Sequence, residues 1–189
     1  MEQDAPKGSK SKSPGVTRTP AERPLPNFFY RLTPRLQRCY LRSDSIDRFE
    51  FAMKPAVRER AAELVRMLEA GNLRTTERGA NELADELCRL AGIAPVPVVV
   101  RGVRPHNARG ELHGLFRVDP PRTIVLWMRT AQRHDVVKPR TFLRTLLHEL
   151  CHYFDYAVLG LEDSFHTMGF FKRESFLVRA IAPPSTRGK

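Results

Sequence analysis

His148-Glu149-Leu150-Cys151-His152 reads H-E-x-x-H. On a helix this spacing places two imidazoles one turn apart on one face, and Asp155, seven residues after His148, falls on the same side. Two neutral imidazoles so placed can hold Zn²⁺ at about 2.0–2.1 Å each. A catalytic zinc needs a third protein ligand and an open position for water, and a neighbouring carboxylate can then serve as general base. Glu149 is the candidate for that role. A shuffled chain of this composition would carry the pattern roughly 1% of the time, so its surroundings must add weight. They do: Leu146, Leu147, Leu150, Tyr153 and Phe154 make the run apolar. The competing reading is a pair of satisfied core histidines, yet burying two histidines and a glutamate in such a run is costly without a purpose.

A helix from Pro139 to about Leu159 should carry these residues, with Pro139 in its first turn and Gly160 as its C-cap. Upstream, Val57, Ala61, Leu64, Val65 and Leu68 predict a helix over 55–70, with Gly71 ending it. Ala80, Leu83, Ala84, Leu87 and Leu90 predict another over 76–91, capped by Thr75 or Thr76 and closed by Gly92. The two should pack as an antiparallel pair. The period then changes to that of strands over Val96–Val103, Leu112–Val118 and Thr123–Met128, with a turn at 119–122. Residues 130–138 read as a loop, and a closing helix follows over Phe170–Ile181. Region 34–50 is ambiguous, because Leu36, Tyr40 and Leu41 keep helical spacing while Ser43-Asp44-Ser45 interrupts it. The class expected is α+β with a small, mostly antiparallel three-stranded sheet.

The 189 residues carry a formal net charge of +11. Residues 1–42 hold nine Lys/Arg against Glu2, Asp4 and Glu22, which is +6 of that total. Residues 1–26 are rich in Pro, Ser, Lys and Gly and poor in large apolar groups, so they are expected to be a disordered basic tail, with one domain over 27–189. Such a tail can lean weakly on nucleic acid or simply solubilise the chain. No apolar stretch suits a membrane span or a secretory signal. The scattered Cys39, Cys88 and Cys151 argue against disulfides and cysteine zinc knuckles and suit a reduced cytoplasm. Cys151 is expected to be a small buried apolar residue.

The segment Thr145–Phe154, with its uncharged flanks, resembles the extended signature of the zincin metallopeptidases. Downstream, His166 followed by aromatic Phe170 resembles the H-x-x-x-F/W element of SprT-like and related minimal bacterial zincins. This resemblance implies a zincin-like fold, zinc-dependent peptide hydrolysis with Glu149 as base, and His148, His152 and His166 as metal ligands. Asp155, Glu162 and Glu174 remain alternative third ligands; Glu174 would make the site gluzincin-like, and Asp155 is better suited to orienting a ligand imidazole. In zincins the last strand before the active helix lines the cleft and pairs with substrate, which implies that role for Thr123–Met128. Tyr153, Tyr156, His113 and Arg173 are candidates for oxyanion contact, each read first as structural. The cysteine zinc ribbon that many SprT-like proteins add for DNA is missing from this sequence. Two alternatives stay open: a nucleic-acid-associated protein, helped by Arg129, Arg133, Lys138, Arg140 and Arg144 near the motif, and an inactive zinc-holding interaction module.

Overall fold

A computed structural model describes residues 24–108 and 110–181. The expected disordered tail over 1–26 lies outside the described residues except for its last three positions. Helix α1 spans Pro34–Ser45, started by Thr33, whose hydroxyl accepts Leu36 N–H at 3.4 Å. The Ser43-Asp44-Ser45 cluster does not break it. Ser43 turns inward to Thr167, at 3.1 Å, and Asp44 accepts Met168 N–H at 2.9 Å. These polar side chains are fixed by the far end of the chain, which local periodicity cannot reveal.

Helices α2 (Pro55–Glu69) and α3 (Leu73–Ala91) form the expected antiparallel pair. The second begins earlier than expected: Asn72 is the N-cap, its side chain accepting Thr75 N–H at 3.1 Å, and Thr76 lies buried within the first turn. Gly92, at φ 69°, caps the C-terminus in the left-handed region as its residue type suggests.

Strands β1 (Val98–Val103), β4 (Gly114–Arg117) and β5 (Thr123–Arg129) form one sheet in the order β1-β5-β4. A two-residue hairpin, β2 (His106–Asn107) with β3 (Gly110–Glu111), stands apart from it. The sheet corrects two expectations. It is mixed rather than mostly antiparallel, because β1 pairs parallel with β5 while β4 pairs antiparallel with it. And β5, which holds Thr123–Met128, is the central strand, bonded on both sides, so no incoming peptide can pair with it. Its continuous Ile-Val-Leu-Trp-Met run is buried throughout, as a strand covered on both faces requires.

The two edges of the sheet differ. Asn81 of α3 gives its amide to Val98 O at 2.7 Å and accepts Val98 N–H at 2.9 Å, while Glu77 accepts Val100 N–H at 2.8 Å. The outer edge of β1 is thus satisfied by helix side chains. The outer edge of β4 has no strand beside it among the described residues.

Helices α4 (Pro139–Ala157) and α5 (Met168–Ile181) complete the chain. Phe142, Leu146, Leu147, Leu150, Cys151 and Phe154 of α4 are buried at 0–1% exposure between the sheet and the other helices. Gly160, at φ 59°, follows the Val158 C-cap and turns the chain back. No helix among the described residues is long and apolar enough to cross a membrane. The three cysteines are buried and free.

Candidate metal centre

Helix α4 presents His148 and His152 with ring centroids 4.9 Å apart. His166 comes from the turn between α4 and α5. Several contacts fix that turn: Leu161 N–H reaches Asp155 O at 2.9 Å, Cys39 Sγ approaches Asp163 O at 3.3 Å, and Phe165 packs on Tyr40. His166 Nε2 then lies 3.1 Å from both His148 Nε2 and His152 Nε2. Phe170 forms the floor beneath all three rings, with centroids 4.7–5.1 Å away. These three histidines make a group that could hold a metal ion.

The far side of each helix-borne imidazole decides its tautomer. Ser164 donates its hydroxyl proton to Asp155 Oδ2 at 2.8 Å, so its oxygen is left to accept from His152 Nδ1 at 2.7 Å. Glu174 Oε2 lies 3.2 Å from His148 Nδ1, and its carboxylate can only accept. Both Nδ1 atoms therefore carry the proton, and both Nε2 lone pairs point at the same small volume. His166 Nε2 can donate to only one of them. A cation would resolve this crowding, and nitrogens tetrahedrally placed about 2.0–2.1 Å from zinc would stand about 3.3 Å apart, close to the two 3.1 Å separations from His166. Electrostatics agree. Burial, together with the neighbouring imidazoles, pushes His152 down to about 3, and burial and His148 lower His166 as well. Neutral imidazole is the ligating form.

The remaining candidates separate cleanly. Glu174 faces the outer nitrogen of His148, opposite the ring atom that meets the other histidines, and Arg144 Nε also bonds it at 2.7 Å. Although burial would raise its pKa, the hydrogen bonds from His148 and Arg144 hold Glu174 below the usual range. It holds the His148 ring from its outer side and stands outside the histidine group. Asp155 is fully buried behind His152, acting through Ser164 and paired with Arg173 at 2.9 Å. Burial raises its carboxyl against the pull of Arg173. Glu162 pairs with Arg35 of α1 and stands outside the histidine group. Arg173 is a buried structural clamp, donating to Ser43 O at 2.8 Å and Ile46 O at 2.6 Å. Tyr153 bonds Ala94 O at 2.9 Å behind α4, Tyr156 reaches Asp163 at 3.2 Å, and Cys151 is fully buried.

Glu149 is 7% exposed and lies against β4. Burial raises its carboxyl, opposed by His148 and the Phe116 backbone. A groove runs along the open edge of β4 past Glu149 and His148, with one cavity of about 620 Å³ toward the start of α4 and one of about 360 Å³ toward its end. Two residues of this site went unread in the sequence. Ser164 gave no signal, since its role depends on a turn that folds back onto α4. Gly114 did give one: it lies inside the expected strand Leu112–Val118, where a glycine often marks a close approach. Here a Cβ would stand 2.7 Å from Glu149 Oε1.

Comparison of the chain with protein-family models, with curated proteins and with solved structures returned no match.

Proposed function

We propose that the chain is a zinc-dependent metallopeptidase with a zincin-like arrangement. The observation that carries this reading is the approach of His166 Nε2 to 3.1 Å from both His148 Nε2 and His152 Nε2, beside a buried glutamate on an open sheet edge. Three nitrogen ligands with room for another group suit a catalytic zinc better than a closed structural one. When bound by His148, His152 and His166, zinc would supply the Lewis acidity that activates water and polarises a scissile carbonyl. Glu149 would take the proton of the attacking water and return it to the departing nitrogen. Burial, which raises its carboxyl, favours the uptake of that proton. The free edge of β4 would hold an extended peptide by main-chain hydrogen bonds, fixing its carbonyl over the site.

Zinc content and peptide cleavage are measured on wild type, Glu149→Gln and His166→Ala. The first variant should keep one zinc and lose cleavage, and the second should lose the metal. A Glu149→Gln protein that cleaves as fast as wild type would sink the mechanism. A second reading, contact with nucleic acid, draws support from α1, whose Arg35, Arg38 and Arg42 are exposed. Retention on DNA or RNA with a steep salt dependence would favour it, and a flat salt response would count against it.

A further inference from the structure

The two halves of the groove differ in chemistry. The larger is walled by Arg140 and Arg144, which α4 places two turns and one turn before His148, with His113 on its rim. Three carboxylates line it: Glu149 at the histidines, and two that have cationic partners, Glu174 on Arg144 Nε at 2.7 Å and Glu111 on Arg104 at 3.3 Å. Arg144 is nevertheless 64% exposed, with only Nε engaged. Arg140 is exposed and has no ion-pair partner among the described residues. The smaller half is lined by Leu115, Phe116, Val118 and Tyr156. Gly114, His148 and Glu149 belong to both halves, so a chain lying along β4 must pass from one chemistry to the other.

We infer that the groove selects peptides carrying a carboxylate in the Arg140–Arg144 half and an apolar residue in the other, an inference that rests on the peptidase reading above. The direction follows from β4, before which His113 lines only the cationic half and after which Val118 lines only the apolar half. A peptide added antiparallel, the slightly more stable pairing, puts its N-terminal residues beside Phe116 and Val118 and its C-terminal residues beside Arg140. The recognised carboxylate therefore lies C-terminal to the cleaved bond. It is supplied either by an Asp or Glu side chain or by the free end of the chain.

The test gives the full-length, zinc-loaded protein a randomised peptide mixture, together with matched peptides ending in a free acid or an amide. Asp and Glu should be preferred over Asn and Gln by roughly fivefold C-terminal to the cut, the scale of exposed charge pairs. Arg140→Gln should bring that ratio close to one, and Arg140→Glu should turn the preference toward Lys. The same ratios should appear in peptide binding to the Glu149→Gln protein, read by fluorescence anisotropy. Zinc content, measured on every variant, identifies one that has not folded. A preference that follows the amide substitution assigns the chain end, and one that follows internal residues assigns a side chain; both support the inference. No acid preference, or one that both Arg140 variants leave unchanged, overturns it while leaving peptidase activity standing. Failure to cleave any peptide overturns the peptidase reading and this inference with it.

Discussion

Gly114→Ala tests how closely the sheet edge and the active helix are fitted. The added Cβ would stand 2.6 Å from Thr145 Cγ2, 2.7 Å from Glu149 Oε1 and 3.0 Å from Glu149 Cγ. Gly114 does not have a positive φ, so alanine is allowed there by the backbone and the whole effect is one of contact. The Glu149 carboxylate is the end that can move most easily, and Thr145 is held to α4 by its hydroxyl bond to Thr141 O at 2.9 Å. Overpacking of this kind costs about 1–3 kcal/mol. At the lower end of that range, Tm should fall by roughly 2–4 °C for a chain of this size. Activity should suffer more, because misplacing a catalytic group by about 1 Å can cost on the order of 100-fold. None of the three histidines proposed to hold zinc is touched, so zinc content should stay that of wild type.

The assay therefore pairs zinc analysis and thermal unfolding with kcat/KM on one peptide. Adding Thr145→Ser removes the methyl but keeps the hydroxyl. The double variant should regain most of the lost stability while kcat/KM stays low, since Glu149 is still displaced. A Gly114→Ala protein within twofold of wild-type kcat/KM would refute the claim that β4 positions Glu149.

Other perturbations address the groups behind the histidines. Ser164→Ala cuts the 2.7 and 2.8 Å bridge from His152 to Asp155 and should weaken zinc binding about 10–100-fold in chelator competition; unchanged affinity would mean the bridge does not orient the ring. Glu174→Gln keeps an acceptor for His148 Nδ1 and should lower zinc affinity by less than Glu174→Ala, whereas a ligating carboxylate would lose the metal in both. Arg173→Met leaves Asp155 buried without its partner and should destabilise the fold by about 3–5 kcal/mol in urea unfolding, with a loss under 1 kcal/mol counting against the clamp.

Much of the scaffold was legible because its signals are local. The stripe from Val57 to Leu68 and the run from Phe142 to Phe154 are buried as their periodicity implies. Sheet order is not local. Even so, Ile124–Met128 lacked the alternation of an edge strand and contained the clue to its central place, while the four-residue β4 has an alternating burial pattern. The helix start at Asn72 was missed because two threonines in the first turn offered equally plausible caps, and only the turn geometry chooses between them.

The candidate centre divides along the same line. His148 and His152 were legible because four-residue spacing on a helix is geometry that sequence alone dictates. His166 came from a resemblance, and the structure brings its Nε2 within 3.1 Å of both. Ser164 and the orienting place of Glu174 depend on where the Gly160 turn sends the chain, which no local pattern encodes. The sheet edges show why such distant features matter together. Asn81 and Glu77 occupy the outer edge of β1 with side-chain hydrogen bonds, whereas β4, beside the histidines, has no outer strand partner among the described residues. An exposed edge invites pairing with any extended chain. With the edge remote from the histidines closed, the proposed peptidase reading places an arriving chain on β4, the edge beside which Glu149 lies.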